Sequence, residues 1–219
     1  PKSVICLNGN PFAEWNGKLQ CLSPNFINED DILFNKDKNK IISFRNQNIE
    51  SYVIPSSVTS IGNDAFSKCS SLSKIVIPSS VTSIGDSAFL GCSSLSKIVI
   101  PSCVIKIGNG AFYSCRSLSE IVIPSSVTSI DYGAFSDCSS LSKIVIPSSV
   151  TSIGEMAFMD CDSLSEIVIP SSVTSIGDSA FYRCKFPDNL KQELIFRFGD
   201  KISRIQQASA KLRNVFVKA

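Results

Sequence analysis

Apolar residues recur at fixed positions along the central part of the chain and are separated by serine-rich polar stretches. The segment SSLSKIVIPSSVTSIG, residues 70–85, shows the pattern, and its Ile-Pro step returns every 23 residues. A fixed period of about 20 to 50 residues is typical of stacked repeats. The sequence therefore predicts a solenoid in which each repeat forms one coil and contacts only its neighbours. The prolines of the successive steps are Pro55, Pro78, Pro101, Pro124, Pro147 and Pro170.

Each coil begins with a short predicted strand. Ile75 and Ile77 are two residues apart and share one face of the strand, so Val76 between them points to the other face. Pro78 has no N–H to donate and marks the end of the strand. Strands stacked about 4.8 Å apart predict a parallel sheet along the solenoid.

The return path of each coil is predicted to add a second inward pair and a bend. Val81 and Ile84 supply the pair, and Gly85 is interpreted as a residue with positive φ. Asp131 stands at the glycine position of another coil, which fits this interpretation because Asp tolerates positive φ. Residues 86–89 predict one short helical or 3₁₀ turn, with Asp at its start.

Two further columns run through the repeats. Six cysteines share one position and predict a column of small buried side chains, because free Cys packs like a small hydrophobe. Disulfides between coils are the alternative, and metal ligation is disfavoured because no Cys-x-x-Cys pair occurs. Serines at another position, interrupted by Cys103, are predicted to hydrogen-bond to the backbone of adjacent coils. The cysteines are Cys69, Cys92, Cys115, Cys138, Cys161 and Cys184, and the serines are Ser57, Ser80, Ser126, Ser149 and Ser172.

Residues 1–48 predict irregular N-terminal coils with β-hairpins. The segment SVICL at residues 3–7 aligns with the repeat strand. An Asn-Gly pair at residues 16–17 is a signal for a two-residue hairpin turn. Two apolar runs, 31–34 and 41–44, flank a polar connection and predict a second hairpin.

Regular repeats are predicted over residues 49–186, and a helical cap with a basic tail over 187–219. Pro187 starts the predicted cap helix and Gly199 stops it. Such a helix would cover the last apolar coil of the solenoid. Residues 201–219 are basic and extend the cap, form a tail or make a membrane-surface helix. The apolar face of the predicted helix consists of Leu190, Leu194, Ile195 and Phe198.

Composition narrows the class of protein. The 219 residues are 43% hydrophobic and 18% charged, which is enough for one sizeable core. The net charge of +2 lacks the basic footprint of a nucleic-acid-binding protein. The chain contains no run of about 18 apolar residues, so no transmembrane segment is predicted. The chain does not begin with Met and shows no signal peptide, so it is interpreted as a piece of a longer protein.

The residue types also speak against catalysis. The chain has no histidine, which removes Ser-His-Asp triads, Cys-His dyads and His-Cys zinc sites. Its repeat glycines are 23 residues apart and are interpreted as bends rather than phosphate loops. The sequence predicts no catalytic residue, no metal site and no cofactor.

Two sets of outward residues are candidate binding surfaces. The first is the predicted concave face, where an apolar ladder with mixed charges beside it is typical of a protein-binding surface. The alternative is that Val is simply a good strand former. The second set lies just after the Phe of each coil and varies from coil to coil, as expected of a face that discriminates partners. The alternative is that these side chains fill space between neighbouring turns. The first set is Val53, Val76, Val99, Val122, Val145 and Val168, with Lys74, Lys97, Glu120, Lys143 and Glu166. The second set is Leu90, Tyr113, Met159 and Tyr182.

The motif L-x-x-I-x-I-P-S-S-V-T-S-I-G-x-x-A-F-x-x-C over residues 49–184 resembles the BspA-type (Treponema pallidum-type) leucine-rich repeat. The segments LFNKDKNKIISF and LKQELIFRFG are similar to the irregular hairpin coil and the C-terminal cap of such arrays. This resemblance implies a right-handed solenoid with a curved parallel β-sheet, usually in surface proteins of host-associated bacteria and mucosal protist parasites. It implies adhesion and protein binding without catalytic residues.

These observations lead to three functional hypotheses. The first is an adhesion or protein-binding module on a cell surface or secreted, with a host extracellular-matrix or cell-surface protein as partner. The second is an intracellular scaffold or spacer. The third is an accessory domain of a larger protein. A secretion signal in a longer sequence would favour the first, because fold alone does not decide function.

Overall fold

The computed structural model describes residues 2–7, 9–12, 15 and 17–199, and it is a β-solenoid closed by one helix. Each regular coil contributes two short strands, which lie in two separate parallel sheets. Between them runs one continuous apolar core. The predicted stack of 23-residue coils with a C-terminal helix is confirmed.

The first three strands form an antiparallel entry to the array. They are β1 (Phe26–Glu29), β2 (Ile32–Asn35) and β3 (Lys40–Phe44). The predicted hairpin between residues 31–34 and 41–44 corresponds to β2 and β3, and β3 then pairs in parallel with the first regular coil.

The sequence interpretation missed β1 and its turn. Asp30 and Asp31 both have positive φ, at 48° and 62°. This is the conformation of the tight hairpin turns whose twist matches that of the strands.

The predicted strand at residues 3–7 is wrong. The described residues before Phe26 contain no strand, and Ile5 is 78% exposed rather than inward. Of the Asn-Gly pair proposed as a turn, residue 16 lies outside the described residues. The repeat pattern therefore fails before β1.

The regular coils alternate between two kinds of strand. In chain order they are β4 (Ser51–Val53), β5 (Ser60–Ile61), β6 (Lys74–Val76), β7 (Ser83–Ile84), β8 (Lys97–Val99), β9 (Lys106–Ile107), β10 (Glu120–Val122), β11 (Ser129–Ile130), β12 (Lys143–Val145), β13 (Ser152–Ile153), β14 (Glu166–Val168) and β15 (Ser175–Ile176). The even-numbered strands from β4 to β14 form the valine sheet. The odd-numbered strands from β5 to β15 form the serine sheet.

A stack of phenylalanine rings occupies the centre of the core. From Phe66 to Phe181 the ring centroids of adjacent coils are 5.1 to 5.5 Å apart, with interplanar angles of 13° or less. The stack ends on Phe44 at one end and on Phe186, edge-on at 60°, at the other. Each ring is fully buried, so each coil supports the next through its largest side chain.

The segment between each serine-sheet strand and the next cysteine forms the turn column. Three of its N–H groups donate to carbonyl groups of the following coil, as from Ser87 to Asn109 (2.8 Å), Phe89 to Ala111 (2.8 Å) and Gly91 to Tyr113 (2.7 Å). All five steps repeat this arrangement, with the N–H groups pointing toward the C-terminal end.

The turn column carries no helix, although one short helical or 3₁₀ turn per coil was predicted. It does make bonds between residues three apart, such as Leu90 N–H to Ser87 O. Two residues per coil have positive φ, including Ser87 at 52° and Gly91 at 69°. These residues interrupt the continuous right-handed conformation that a helix requires.

The repeat glycines are required for close packing rather than for positive φ, so that part of the interpretation was wrong. Gly85 and Gly108 are not among the residues with positive φ. A Cβ on Gly108 would lie 2.5 Å from the backbone nitrogen of Asp86. Because that contact is to backbone, the neighbouring coil would have to move.

The coil with Asp131 in place of glycine is bonded differently from the others. In other coils the glycine N–H donates to the preceding coil, as from Gly108 to Ile84 O (2.9 Å). Among the backbone hydrogen bonds of residues 17–199, there is no equivalent bond from the Asp131 N–H to Ile107 O. Both sheets break at this level, between β9 and β11 and between β10 and β12.

The six column cysteines are free, buried thiols. Each S–H donates to the carbonyl of the phenylalanine one coil back, as from Cys115 Sγ to Phe89 O (3.2 Å) and from Cys138 Sγ to Phe112 O (3.2 Å). Burial raises the pKa of the Cys69, Cys115 and Cys161 thiols to about 12. The column therefore consists of protonated hydrogen-bond donors.

Alkylation of the folded protein by iodoacetamide at pH 8 is expected to modify Cys6 and Cys103, which are exposed, well before the six column thiols. The thiolate is the reactive form, and the column is both buried and protonated at that pH. Mass spectrometry of peptides after timed labelling measures the order. Rapid labelling of Cys115 without denaturant would contradict the buried column.

The serine column behaves as predicted. Ser80 Oγ donates to Val58 O (2.6 Å), Ser149 to Val127 O (2.7 Å) and Ser172 to Val150 O (2.9 Å). Cys103, at the interrupted position, is exposed. The serine hydroxyls thus tie each coil except that of Cys103 to the one before it.

The C-terminal end is capped by α1 (Asp188–Phe198), as predicted. Leu194 is fully buried, and Leu190 and Phe198 pack beside it. Ile195 is 40% exposed, so its assignment to the inward face was wrong. Arg197 donates from Nη1 to Ile169 O and from Nη2 to Pro170 O, both at 2.8 Å, and so satisfies carbonyls at the end of the last valine-sheet strand. The basic segment 201–219 lies outside the described residues.

Candidate binding surface

The valine ladder forms an exposed apolar strip on the valine sheet. The middle position is a buried isoleucine in β6, β8, β10, β12 and β14 and the half-buried Tyr52 in β4. The valine after it is 43% to 64% exposed. The parallel register places these valines opposite one another, as for Val53 and Val76 and for Val99 and Val122. The sequence placed these side chains outward, and the structure brings them together as six neighbouring rungs.

Charged residues run beside the ladder at the first position of each strand. Lys97 Nζ contacts Glu120 Oε2 at 2.9 Å, and Lys143 Nζ contacts Glu166 Oε2 at 3.0 Å. All four side chains are more than 60% exposed, so these ion pairs contribute little stability. Lys74 is the register partner of Lys97, and no carboxylate of the described residues forms an ion pair with it.

Strand pairing along this sheet alternates between closed and open steps. Three residue pairs join β4 to β6, β8 to β10 and β12 to β14. Only the Lys74–Lys97 pair joins β6 to β8, and no pair joins β10 to β12. Strand pairing is therefore interrupted at two steps, β6–β8 and β10–β12, which are the open steps.

A surface cavity lies over each open step. The first has a volume of about 540 Å³ and is lined by Lys74, Val76, Lys97 and Val99. The second has a volume of about 570 Å³ and is lined by the equivalent residues of β10 and β12. Both are broad apolar depressions edged by charge, with the dimensions of a site for one or two side chains of a partner.

The second predicted surface, just after each phenylalanine, lies on the turn column. Tyr113 is 39% exposed, whereas Leu90, Met159 and Tyr182 are half-buried. The serines at this position, Ser67 and Ser136, are buried. These residues occupy one line but do not form a continuous exposed apolar patch.

Within the regular coils, two exposed hydrophobic residues escaped the sequence interpretation. Tyr132 is 51% exposed, and its hydroxyl donates to Met156 Sδ at 3.3 Å. Ile105 is 65% exposed at a position that holds Thr in the other coils. The replacement of Thr by an apolar residue at an outward position was the signal that could have found Ile105.

In the part of the chain that the structure describes, the ionisable side chains outside the cysteine column do not form a metal-binding cluster. Burial, with a smaller contribution from the charge of Asp30, raises the pKa of Tyr52 to about 12. Across the described parts of the chain, no group of three or more Cys, Asp or Glu residues could hold a metal ion. The same residues include no helix with the length and apolar composition needed to cross a membrane.

Comparison with known proteins places this arrangement among similar repeats. A family model described as a BspA type leucine rich repeat region, with six copies, matches residues 40–164 and 128–207. No curated protein matches the sequence.

Several solved structures are similar. A leucine-rich repeat protein of T. pallidum is 31% identical with a TM-score of 0.64, and the match covers 74% of this chain and 90% of that one. One from Eubacterium ventriosum is 28% identical with a TM-score of 0.66, covering 77% and 53%. A leucine rich cell surface protein of Faecalibacterium prausnitzii is 28% identical with a TM-score of 0.57, covering 82% and 44%. The chain thus spans about half the length of the last two proteins.

Proposed function

The chain belongs to the BspA-type leucine-rich repeat family, and on that premise we propose that it is a non-catalytic protein-binding and adhesion module. Repeats of this type are typically surface-associated and interact with proteins. In this proposal the array of residues 49–186 carries the binding surface, residues 1–48 lead into it, and α1 closes it.

The observation that carries the proposal is the exposed valine ladder. A parallel sheet normally has both faces covered, yet valines of six adjacent strands lie open on this one. Contiguous apolar strips edged by charge mark interaction sites on soluble proteins. A host extracellular-matrix or cell-surface protein is the proposed partner, and the cell surface is the proposed location, as in the name of the F. prausnitzii relative.

The variable line on the turn column is a weaker second surface. Large side chains occur in two pairs, Leu90 with Tyr113 and Met159 with Tyr182, and a buried serine precedes each pair. We propose that Tyr113, the most exposed of the four, adds selectivity at the edge of a contact rather than forming its centre.

Substitution of Val99, Val122 and Val145 by Ser is expected to weaken binding of the partner at least tenfold while leaving the fold intact, because centrally placed apolar residues dominate interface energies. Binding is measured by surface plasmon resonance on purified extracellular-matrix proteins and by flow cytometry on host cells. Circular dichroism checks the fold, since exposed Val-to-Ser changes cost up to about 1 kcal/mol each.

A matched control changes the residue just before three strands of the serine sheet, as Thr82→Ser, Ile105→Ser and Thr128→Ser. It is expected to bind like the unmodified protein. If the valine variant bound equally well, the ladder would not be the binding surface. If neither the unmodified protein nor the control bound any matrix protein or cell, a scaffold or spacer role would be favoured instead.

A further inference from the structure

The two open steps of the valine sheet differ in charge. At the β10–β12 step, Glu120 and Lys143 are each already paired, with Lys97 and Glu166. At the β6–β8 step, Lys74 and Lys97 are register partners, and only Lys97 has a carboxylate nearby. The set of Lys74, Lys97 and Glu120 therefore leaves one positive charge unmatched beside the first cavity.

We infer that the β6–β8 step is the place where the partner docks a carboxylate side chain next to an aliphatic one. The inference rests on the proposed function and adds to it the chemistry of the segment that is bound. Two lysines on adjacent strands, whose backbones are about 4.8 Å apart, can bring their ammonium groups to the two oxygens of one carboxylate. The aliphatic neighbour then covers Val76 and Val99, which are 43% and 63% exposed.

The spacing within the strands sets the spacing within the partner. Lys74 and Val76 are two residues apart on one face, as are Lys97 and Val99, which corresponds to about 6.6 Å in a strand. An extended segment lying along the strands presents its own residues at the same interval. The bound sequence is therefore an acidic residue, any residue, and then an aliphatic residue, or the same order reversed.

The second cavity accepts the apolar part of this pattern but not its charge. Val122 and Val145 line it as Val76 and Val99 line the first. Its lysine and glutamate are neutralised within their own strand pairs. The structure thus distinguishes one open step, which selects an acid, from the other, which selects only an apolar side chain.

Selection of displayed random 12-residue peptides on the immobilised chain tests the inference. Enriched peptides are expected to contain Asp or Glu two positions from Val, Ile or Leu. Their affinity is expected to fall about five- to tenfold for K74S/K97S. The control K106S/K185S removes the same two charges elsewhere and is expected to leave affinity unchanged, and K74R/K97R is expected to retain it.

A double-mutant cycle with the best peptide makes the test specific. Changing its Asp to Asn is expected to weaken binding to the unmodified chain about as much as K74S/K97S does, and to have little further effect on that variant. Equal losses for K74S/K97S and K106S/K185S would mean general charge attraction and would overturn the acidic site.

The outcomes also separate this inference from the proposed function. Peptides that depend on Val99, Val122 and Val145 but not on Lys74 and Lys97 would retain the valine ladder and eliminate the acidic site. A selection that yields only peptides indifferent to both sets of changes would overturn both. Circular dichroism of each variant excludes loss of fold as the cause, because the substituted side chains are exposed.

Discussion

Replacing Phe112 with alanine is expected to lower the free energy of unfolding by about 4 kcal/mol. The ring lies 5.3 Å from that of Phe89 and 5.4 Å from that of Phe135, so its removal opens a cavity within the stack. The surrounding coils have little freedom to collapse into that cavity, because backbone hydrogen bonds of the turn column hold them at a fixed spacing.

Urea denaturation followed by far-UV circular dichroism measures the effect, and the slopes of the transitions must agree for the comparison to be valid. The control is Tyr113→Ala, the next residue along the chain, which is 39% exposed and should cost less than about 1 kcal/mol. Equal losses for the two variants would show that the ring stack does not hold the coils together.

Gly108→Ala is expected to destabilise the protein by about 3 kcal/mol. The new Cβ would lie 2.5 Å from the backbone nitrogen of Asp86 and 2.6 Å from the carbonyl carbon of Gly85. Both atoms belong to the backbone of the preceding coil, and the coil with Asp131 at this position lacks the hydrogen bond that the glycine N–H makes elsewhere. The serine sheet would thus acquire a second break one coil from the first.

Gly133→Ala is the matched control for Gly108→Ala, and the same urea denaturation measures both. Gly133 has a φ of +57°, but a Cβ there would meet nothing within 4 Å, so only the conformational cost of about 1 kcal/mol applies. Should Gly108→Ala prove no more harmful than Gly133→Ala, close approach between coils would not be the reason for glycine at this position.

The positions that could be predicted from the sequence are those whose neighbours are copies of themselves. Ile75, Val76 and Phe89 each face the equivalent residue of the next coil. The inward or outward direction of the side chains in one coil therefore predicts their direction in all the others. The cysteine column and the outward valine ladder follow from the same regularity, because the hydrophobic period repeats without a shift.

Features that depend on the distance between coils could not be read from one coil. Gly85 was interpreted through its own φ, whereas its role is set by how closely the backbone of Asn63 approaches. The alternation of open and closed steps on the valine sheet likewise arises between strands. A glycine in the sequence shows only that a side chain is absent there. It does not show which neighbouring residue occupies the space.

The ends of the array were predictable only in outline. The helix α1 was expected, but its rotation was not, and Ile195 was assigned to the core. Leu190, Leu194 and Phe198 form one row four residues apart, and that row packs against the apolar core. A residue next to such a row lies about 100° around the helix, which places Ile195 at its rim.

The uniform direction of the hydrogen bonds in the turn column gives the solenoid an electrical polarity of its own. Three N–H groups of each coil in that column, from Asp64 to Asp160, point toward the C-terminal end, and the carbonyls that accept from them point back. Aligned peptide dipoles add, as they do in an α-helix, but here the positive pole lies at the C-terminal end rather than the N-terminal one. Each coil lengthens this macrodipole without any charged side chain, so an array of this kind becomes more polarised along its axis as repeats are added.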